Sequence, residues 1–414
     1  MMGDFFMIPD EDRGLTVPHI YKVDEYAHLI APEVMDRIQR KAAALKGLRV
    51  VNINSTYYGG GVAEILHSLV LLMNDVGIQT GWRMIHGIPD FFFITKKMHN
   101  ALQGGAIHLT DRKREIYEKT IYENAIQTHL NHDCVVVHDP QPLPLINHYP
   151  RKSTWIWRCH IDLSRPHAHL WKYLTSFITQ YDSAIYSIKE YSQKLSMPEH
   201  FFLPAINPFS LKNKILEESE IEERLNHYKI PTDLPIISQI SRFDRWKDPE
   251  GVIRAFQIAR KEVDATLVLL GNMASDDPEG QEVFESLLSK RDDRILILAC
   301  GDDTALVNAL QRRSAVVLQK SIREGFGLTV TEAMWKGTPV IGGNVGGIRY
   351  QIDHQHNGFL VDSVEETAHY IVQLVKDRKL RDKMGQQAHE SVKKKFLMIR
   401  LLEQYLDLFA ECRK

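Results

Sequence analysis

The chain lacks most of what would tie it to a membrane, a metal or a polyanion. No apolar run approaches the roughly 18 residues of a spanning helix, and Met1–Pro9 has no basic region and too short an apolar stretch for a secretory leader. Cysteine is scarce: Cys134, Cys159, Cys300 and Cys412 are the four in 414 residues, with no C-x-x-C pair, which argues against a zinc ribbon or a thioredoxin-type site. Reduced thiols at the edges of apolar runs fit cytoplasmic residence. Net charge nearly vanishes, 51 Lys+Arg against 53 Asp+Glu leaving −2, which excludes a global polycation built for nucleic acid and an acidic disordered chain. There is no Gly-Lys-Ser/Thr and hence no Walker A loop, no H-E-x-x-H, no G-x-S-x-G, and no repeat of 20–50 residues. The string Asp10-Glu11-Asp12 spells D-x-D, but it follows no strand and sits near a terminus, so it is rejected as a metal site.

What is present is an ordinary globular composition, 44% apolar and 25% charged, with length for two to three domains at roughly 150 residues each. Short apolar runs alternate with longer helical patterns. Leu48–Asn54, Thr80–Ile85, Cys134–Val137, Thr154–Arg158 and Ala184–Ser187 form one series of strand candidates. Ile236–Ser241, Ala265–Leu270, Ile295–Leu298, Ala315–Leu318 and Pro339–Ile341 form a second. Helical patterns such as Val62–Asp75, Arg112–Leu130, Pro249–Glu262 and Thr304–Arg312 lie between them. Strand–helix alternation requires parallel crossovers, hence α/β architecture with doubly wound sheets. Two series predict two sheets, with Leu203–Ser210, which carries Pro204 and Pro208, as the hinge. The helices from Val364, ending with Met398–Arg413, are expected to return across the first domain.

Ligands in such sheets bind beyond the carboxyl ends of strands. Gly59-Gly60-Gly61 follows the first strand and opens a helix; glycine permits close backbone approach and a helix start favours an anion. The alternative is a flexible connection. Ser241–Asp248 follows Ile236–Ile240 and carries Arg242 and Lys247, two cations able to neutralise a diphosphate or, equally, to pair with Asp244 and Asp248. Glu324-Gly325-Phe326-Gly327-Leu328-Thr329 leads into a helix bearing Glu332. Its first amides, at Gly327, Leu328 and Thr329, would face a phosphate. Eight helical residues span about 12 Å, a spacing for two ends of one ligand rather than the roughly 5–9.5 Å of a hydrolytic carboxylate pair. Gly342–Gly347 is either a turn or a place where a sugar meets backbone. His160, and His138-Asp139, end strands of the first series and are either structural or placed for acceptor hydroxyls.

Together these strings resemble the retaining glycosyltransferases of family four, which have the GT-B fold. Glu324 and Glu332 match the E-x7-E motif, Arg242 and Lys247 the phosphate ligands, Gly59–Gly61 the N-terminal glycine loop, and His160 the active-site histidine. The resemblance implies an acceptor-binding Rossmann-like domain over 1–205, a nucleotide-sugar-binding one over 206–390, and helices over 391–414 that cross back. It implies that Arg242 and Lys247 hold a departing diphosphate with the Gly327–Thr329 amides, that Glu332 takes the ribose and Glu324 the donor sugar, and that Gly60 and Gly61 approach from the other lobe. His160 would sit beside the donor sugar, with His138 and Asp139 on the acceptor side. Overall likeness within the family, notably Val137–Pro142 and Trp157–His160, implies a nucleoside diphosphate glucose donor, a free glucose acceptor and an α,α-linked product. No cofactor is required for that chemistry, magnesium entering only as a diphosphate counterion. The base pocket would lie near Leu298–Asp303 and Lys320–Ile322, and a homodimer is admissible.

Rival readings keep the family but change the acceptor (fructose or its phosphate, a glucan end, a lipid), run a phosphorylase with inorganic phosphate, or change the class to a nucleotide-sugar epimerase or a non-catalytic nucleotide-sugar sensor. The lipid version wants a basic amphipathic helix, and Arg37, Arg40, Lys41 and Lys46 supply a candidate.

Overall fold

The computed structural model describes residues 19–57, 60–272, 278–301 and 303–412. Asp10–Asp12, Gly59, Asp302 of the expected base pocket and Arg413 of the last expected helix lie outside them.

The first sheet comprises β1 (Arg49–Asn54), β2 (Gln79–Met84), β3 (Cys134–His138), β4 (Thr154–Arg158), β5 (Ser183–Tyr186) and β6 (Glu199–Phe201). The second comprises β7 (Ile236–Ile240), β8 (Thr266–Asn272), β9 (Ile295–Cys300), β10 (Ser314–Gln319), β11 (Val340–Gly343) and β12 (Phe359–Val361). Their orders are β2-β1-β3-β4-β5-β6 and β12-β11-β10-β7-β8-β9, with parallel pairing at each recorded ladder, as Val50 opposite Thr80 and Ile236 opposite Thr266 illustrate. β1, β3 and β7 are buried along nearly their whole length. That is what helices on both faces demand, and it explains why these strands read as continuous apolar runs.

Three elements escaped the sequence reading for a common reason. β6 and β12 are three residues each, too short to show a period. The Pro89–Leu102 helix opens on Phe91-Phe92-Phe93, a run that shows no helical spacing by itself; Pro89 starts it and Phe91 and Ile94 bury its inner face.

The hinge differs from a bare connection. Asn207 Nδ2 donates to Ser68 Oγ (3.1 Å) and its Oδ1 accepts from Tyr26 (3.2 Å), while Ile206 bridges Leu397. Arg400 donates to the carbonyls of Leu203 (2.8 Å) and Pro204 (3.1 Å). The chain thus crosses between lobes twice, at 203–214 and at 396–398, and the two crossings brace each other. The Met398–Cys412 helix then packs on the first lobe. Its Glu403 accepts from Arg37 (3.0 Å) and Lys41 (2.7 Å), and Asp407 pairs with Lys41 (2.8 Å). Two of the four cations of the candidate lipid-binding helix are therefore spoken for by acidic partners. No helix among the described residues is long and apolar enough to cross a membrane.

Candidate active site

Strand order sets where the site must be. In the second sheet the chain leaves β7 for β8 on one side and returns to β10 on the other, so the loops after β7 and β10 part at the switch point and leave a crevice between them. Those loops carry Lys247 and Glu324, and they meet: Lys247 Nζ is hydrogen-bonded to Glu324 Oε2. The same oxygen accepts from Gln319 Nε2 and Ser321 Oγ, each at 3.2 Å. The β7 loop is held rigid from beneath. Gln239 donates to the Lys247 carbonyl (2.7 Å), Ile322 N donates to the Trp246 carbonyl (2.8 Å), and Lys320 pairs with Asp248, which caps the following helix. Arg242, exposed, precedes Lys247 on this loop.

The Leu328–Trp335 helix starts just beyond Glu324, with Gly327 at φ +83 as its N-cap and no side chain closing the cap. Its first-turn amides are therefore available to an anion. Across the cleft, Gly60 has φ +85 with nothing near its Cβ position, and a Cβ on Gly61 would lie 2.9 Å from Leu328 Cδ1. The N-terminal glycine loop and the phosphate-facing helix of the second lobe thus confront each other, a pairing that no local pattern states.

The first lobe brings up His138, Asp139 and His160. Pairing of His138 with Arg158 across β3 and β4 places His160 two residues beyond the ladder. His138 Nδ1 lies 3.0 Å from His160 Nε2, and its Nε2 lies 3.0 Å from Asn52 Oδ1. With Asn52 presenting its carbonyl oxygen, His138 carries its proton on Nε2 and accepts at Nδ1 from His160. Burial, assisted by the Arg158 guanidinium, lowers His138 to about 3 and drives His160 well below its ordinary value. Both rings are neutral at physiological pH. Asp139, at φ +61, accepts from His160 N (2.8 Å), and burial raises its carboxyl to about 6.

The lobes touch at this point. Tyr191 offers its hydroxyl to the carbonyls of Glu324 (2.9 Å) and Gly325 (2.8 Å), and a Cβ on Gly325 would come within 2.5 Å of the His160 carbonyl oxygen. Gly346 packs its backbone against the Glu324 carbonyl, 1.8 Å from where a Cβ would stand, so the Gly342–Gly347 string lets two backbones pack closely and shapes the Glu324 loop. Glu332 is the fifth residue of its helix, little more than one turn in, 3% exposed, with Lys212 Nζ at 3.7 Å.

Thus Lys247 and Glu324 bond directly; Gly61 meets the start of the Leu328–Trp335 helix; His138, buried, and Asp139 and His160, partly exposed, form one cluster under Gly325; and Glu332 stands apart, in a second cluster with Lys212. Sequence reasoning passed over Gln319, Tyr191, Asn52, Lys212 and Glu64, and placed Ser321 only within the expected base pocket. Gln319 ends β10, a strand-end signal equal to that of His160, whereas Tyr191 and Lys212 reach the site from loops that carry no motif. Among the described residues no group of three or more His, Cys, Asp or Glu side chains is placed to hold a metal ion.

Residues 52–193 match the family model described as trehalose synthase, N-terminal domain, and residues 220–391 match glycosyl transferases group 1. A trehalose synthase of Pyrococcus horikoshii is 44% identical over 396 residues, covering 94% of this chain and 95% of that protein. The chain belongs to the trehalose synthase family. It is a glycosyltransferase of GT-B architecture. Likeness extends more weakly to a trehalose phosphorylase of Grifola frondosa, 26% identical over 447 residues, which span 92% of this chain and 60% of that protein. Among solved structures, the α,α-trehalose-phosphate synthase (UDP-forming) of Burkholderia xenovorans, in complex with glucose-6-phosphate, superposes with a TM-score of 0.71 at 10% identity, covering 89% of this chain and all of that one. That agreement concerns fold alone. For this trehalose synthase family member, the two sheets facing across the Lys247–Glu324 crevice are the GT-B lobes.

Proposed function

We propose that the chain transfers glucose from a nucleoside diphosphate glucose to free glucose, with retention at the anomeric carbon, releasing the nucleoside diphosphate and α,α-trehalose. The observation that carries this reading is the meeting of Lys247 and Glu324 at the switch point, opposite the Gly60–Gly61 approach and beside an uncapped helix N-terminus. A diphosphate in that crevice faces a cation and free amides, while its hexose faces a carboxylate and the neutral histidine pair.

In this reading Arg242 and Lys247 hold the diphosphate with the amides of Gly327, Leu328 and Thr329, and Gly60 and Gly61 close on it from the first lobe. Glu332 receives the ribose hydroxyls and Glu324 the donor sugar hydroxyls. His160 lies beside the donor glucose, with His138 and Asp139 toward the acceptor. The acceptor oxygen attacks from the face that the phosphate leaves. The new C–O bond forms as the bond from anomeric carbon to phosphate oxygen breaks, the bonding pair goes to the diphosphate, and the acceptor proton passes to that leaving oxygen. Catalysis then rests on alignment and on stabilising negative charge as it develops. Uncharged imidazoles suit an oxocarbenium-like centre, which an imidazolium would repel. Magnesium, if recruited, serves as a counterion on the diphosphate.

The likeness to trehalose phosphorylase supports a second reading, in which inorganic phosphate cleaves trehalose to glucose 1-phosphate. One experiment separates the two. The protein is incubated with UDP-, ADP- or GDP-glucose and a panel of free sugars, and in parallel with trehalose and phosphate. Release of nucleoside diphosphate with an α,α-linked disaccharide supports the synthase. Glucose 1-phosphate formed from trehalose and phosphate, without transfer from any of the three donors, would replace it. A product with another acceptor would move the chain to a different transfer within the same fold.

A further inference from the structure

The carboxylate assigned to the ribose is already engaged. Glu332 is 3% exposed, so as the lobes stand no ribose reaches it. Lys212, from the segment joining the lobes, places its Nζ 3.7 Å from Glu332 Oε1 and bonds Glu64 Oε1 with the same ammonium. The Lys212 ammonium therefore stands between the Glu64 and Glu332 carboxylates and faces both. The two carboxyls come from opposite lobes: Glu64 from the first turn of the Gly61–Asp75 helix, Glu332 from the Leu328–Trp335 helix. Lys336 lies behind them, partly buried, donating to Asn213 Oδ1 (2.9 Å) and to the Glu332 carbonyl (3.2 Å).

The chemistry of this cluster mimics that of a sugar diol. A vicinal diol binds a carboxylate by presenting O–H donors to its oxygens. An ammonium that a second carboxylate holds in place presents N–H donors to the same carboxylate. We propose that Glu64, together with the Lys212 it holds, is a placeholder for the donor's ribose: the pair covers Glu332 in the donor-free protein, and nucleotide binding displaces Glu64. The inference rests on the donor reading above, in which Glu332 takes the ribose.

Three features support displacement of Glu64 rather than of Glu332. The Glu64 side chain is 39% exposed, against 3% for Glu332, so only Glu64 has space to swing away. It sits directly beyond Gly60 and Gly61, where a bound diphosphate would lie. Its carboxylate meets that of Glu332 across one shared ammonium, so its position is a compromise between repulsion from Glu332 and attraction to Lys212 rather than a relaxed ion pair. Because the binding-competent form is the one with Glu332 released, apparent nucleotide affinity is reduced by the fraction of molecules in that form.

Calorimetric binding of UDP, ADP and GDP to four proteins tests this: wild type, Glu64→Ala, Glu332→Gln and the double variant, each checked for folding by thermal denaturation. Glu64→Ala is expected to tighten binding of the preferred diphosphate about three- to tenfold, as for a competent fraction near one-tenth to one-third. In the Glu332→Gln background the same substitution is expected to change binding less than twofold. Unchanged or weaker binding in Glu64→Ala, or an equal gain in both backgrounds, overturns the placeholder while leaving the donor reading intact. If the wild type binds none of the three diphosphates, the donor reading itself falls and takes the placeholder with it. A crystal structure of the wild type with the bound diphosphate gives a check that needs no variant: ribose hydroxyls on Glu332 with Glu64 withdrawn is the expected result, and Glu64 still bonded to Lys212 over a covered Glu332 is the contrary one.

Discussion

Lys247→Ala removes the cation that sits on Glu324 and, in the proposed reaction, faces the departing diphosphate. The two side chains are 18% and 10% exposed, so solvent screens the pair only in part. A unit charge about 4 Å from a phosphate oxygen, at an effective dielectric near 20, contributes about 4 kcal/mol before desolvation. Loss of one preorganised group at a developing negative charge costs about 10²–10³ in kcat, and that is the expected fall. The substitution also strands Glu324, which keeps only the 3.2 Å contacts from Gln319 and Ser321. Breaking a fully buried pair costs about 3–5 kcal/mol, and partial exposure brings this down to about 1–3 kcal/mol. The two effects separate in a Lys247→Ala/Glu324→Gln double variant, which removes the stranded charge. Its melting temperature should return toward the wild-type value while kcat stays low. The assay is release of nucleoside diphosphate at saturating donor and glucose, alongside thermal unfolding. A folded Lys247→Ala protein with kcat within threefold of wild type would refute the electrostatic account. So would a double variant that regained rate together with stability.

Gly325→Ala places a methyl group 2.5 Å from the His160 carbonyl oxygen. The lobes must then separate locally at a cost of about 1–3 kcal/mol, and kcat should fall about 10- to 100-fold with a larger radius of gyration in solution scattering; an unchanged kcat would show that this approach is not used. His138, lowered to about 3, and His160, driven by burial well below its ordinary value, stay neutral from pH 5 to 8. The pH profile of kcat/KM should accordingly show no inflection near 6.5 that His138→Gln abolishes. Lys336, whose burial lowers it from 10.5 to about 7, binds its proton more weakly folded than unfolded. Between pH 7 and 10.5 the unfolded state holds more protons, so this residue makes stability rise with pH by up to about 1.4 kcal/mol per unit. The difference in denaturation free energy between wild type and Lys336→Met should follow that slope, and a difference flat in pH would count against a neutral Lys336.

Local patterns carried much of this molecule. The strands buried on both faces are continuous apolar runs because helices cover them, and the residues at or beyond the carboxyl ends of the strands, His138, His160, Lys247 and Glu324, could be picked out because parallel sheets present those ends to ligands. Gly327 signalled a helix start because only glycine takes φ +83 without strain there. Alternation of strand and helix was sufficient for two doubly wound sheets.

Contacts between distant segments were decided by packing. Nothing in the order of residues says that Tyr191 reaches the Glu324 carbonyl 133 positions away, that Lys212 stands between Glu64 and Glu332, or that Glu403 claims Arg37 and Lys41. Strand spacing and helix caps are local consequences of backbone geometry and can be read along the chain. Which two loops confront each other depends on strand order and on how one lobe is set against the other, and those follow from the burial of whole helix and sheet faces at once. For this glycosyltransferase the chain's local chemistry named the groups, and the tertiary structure determined that two of them, Lys247 and Glu324, are partners and that a third, Glu332, is already covered.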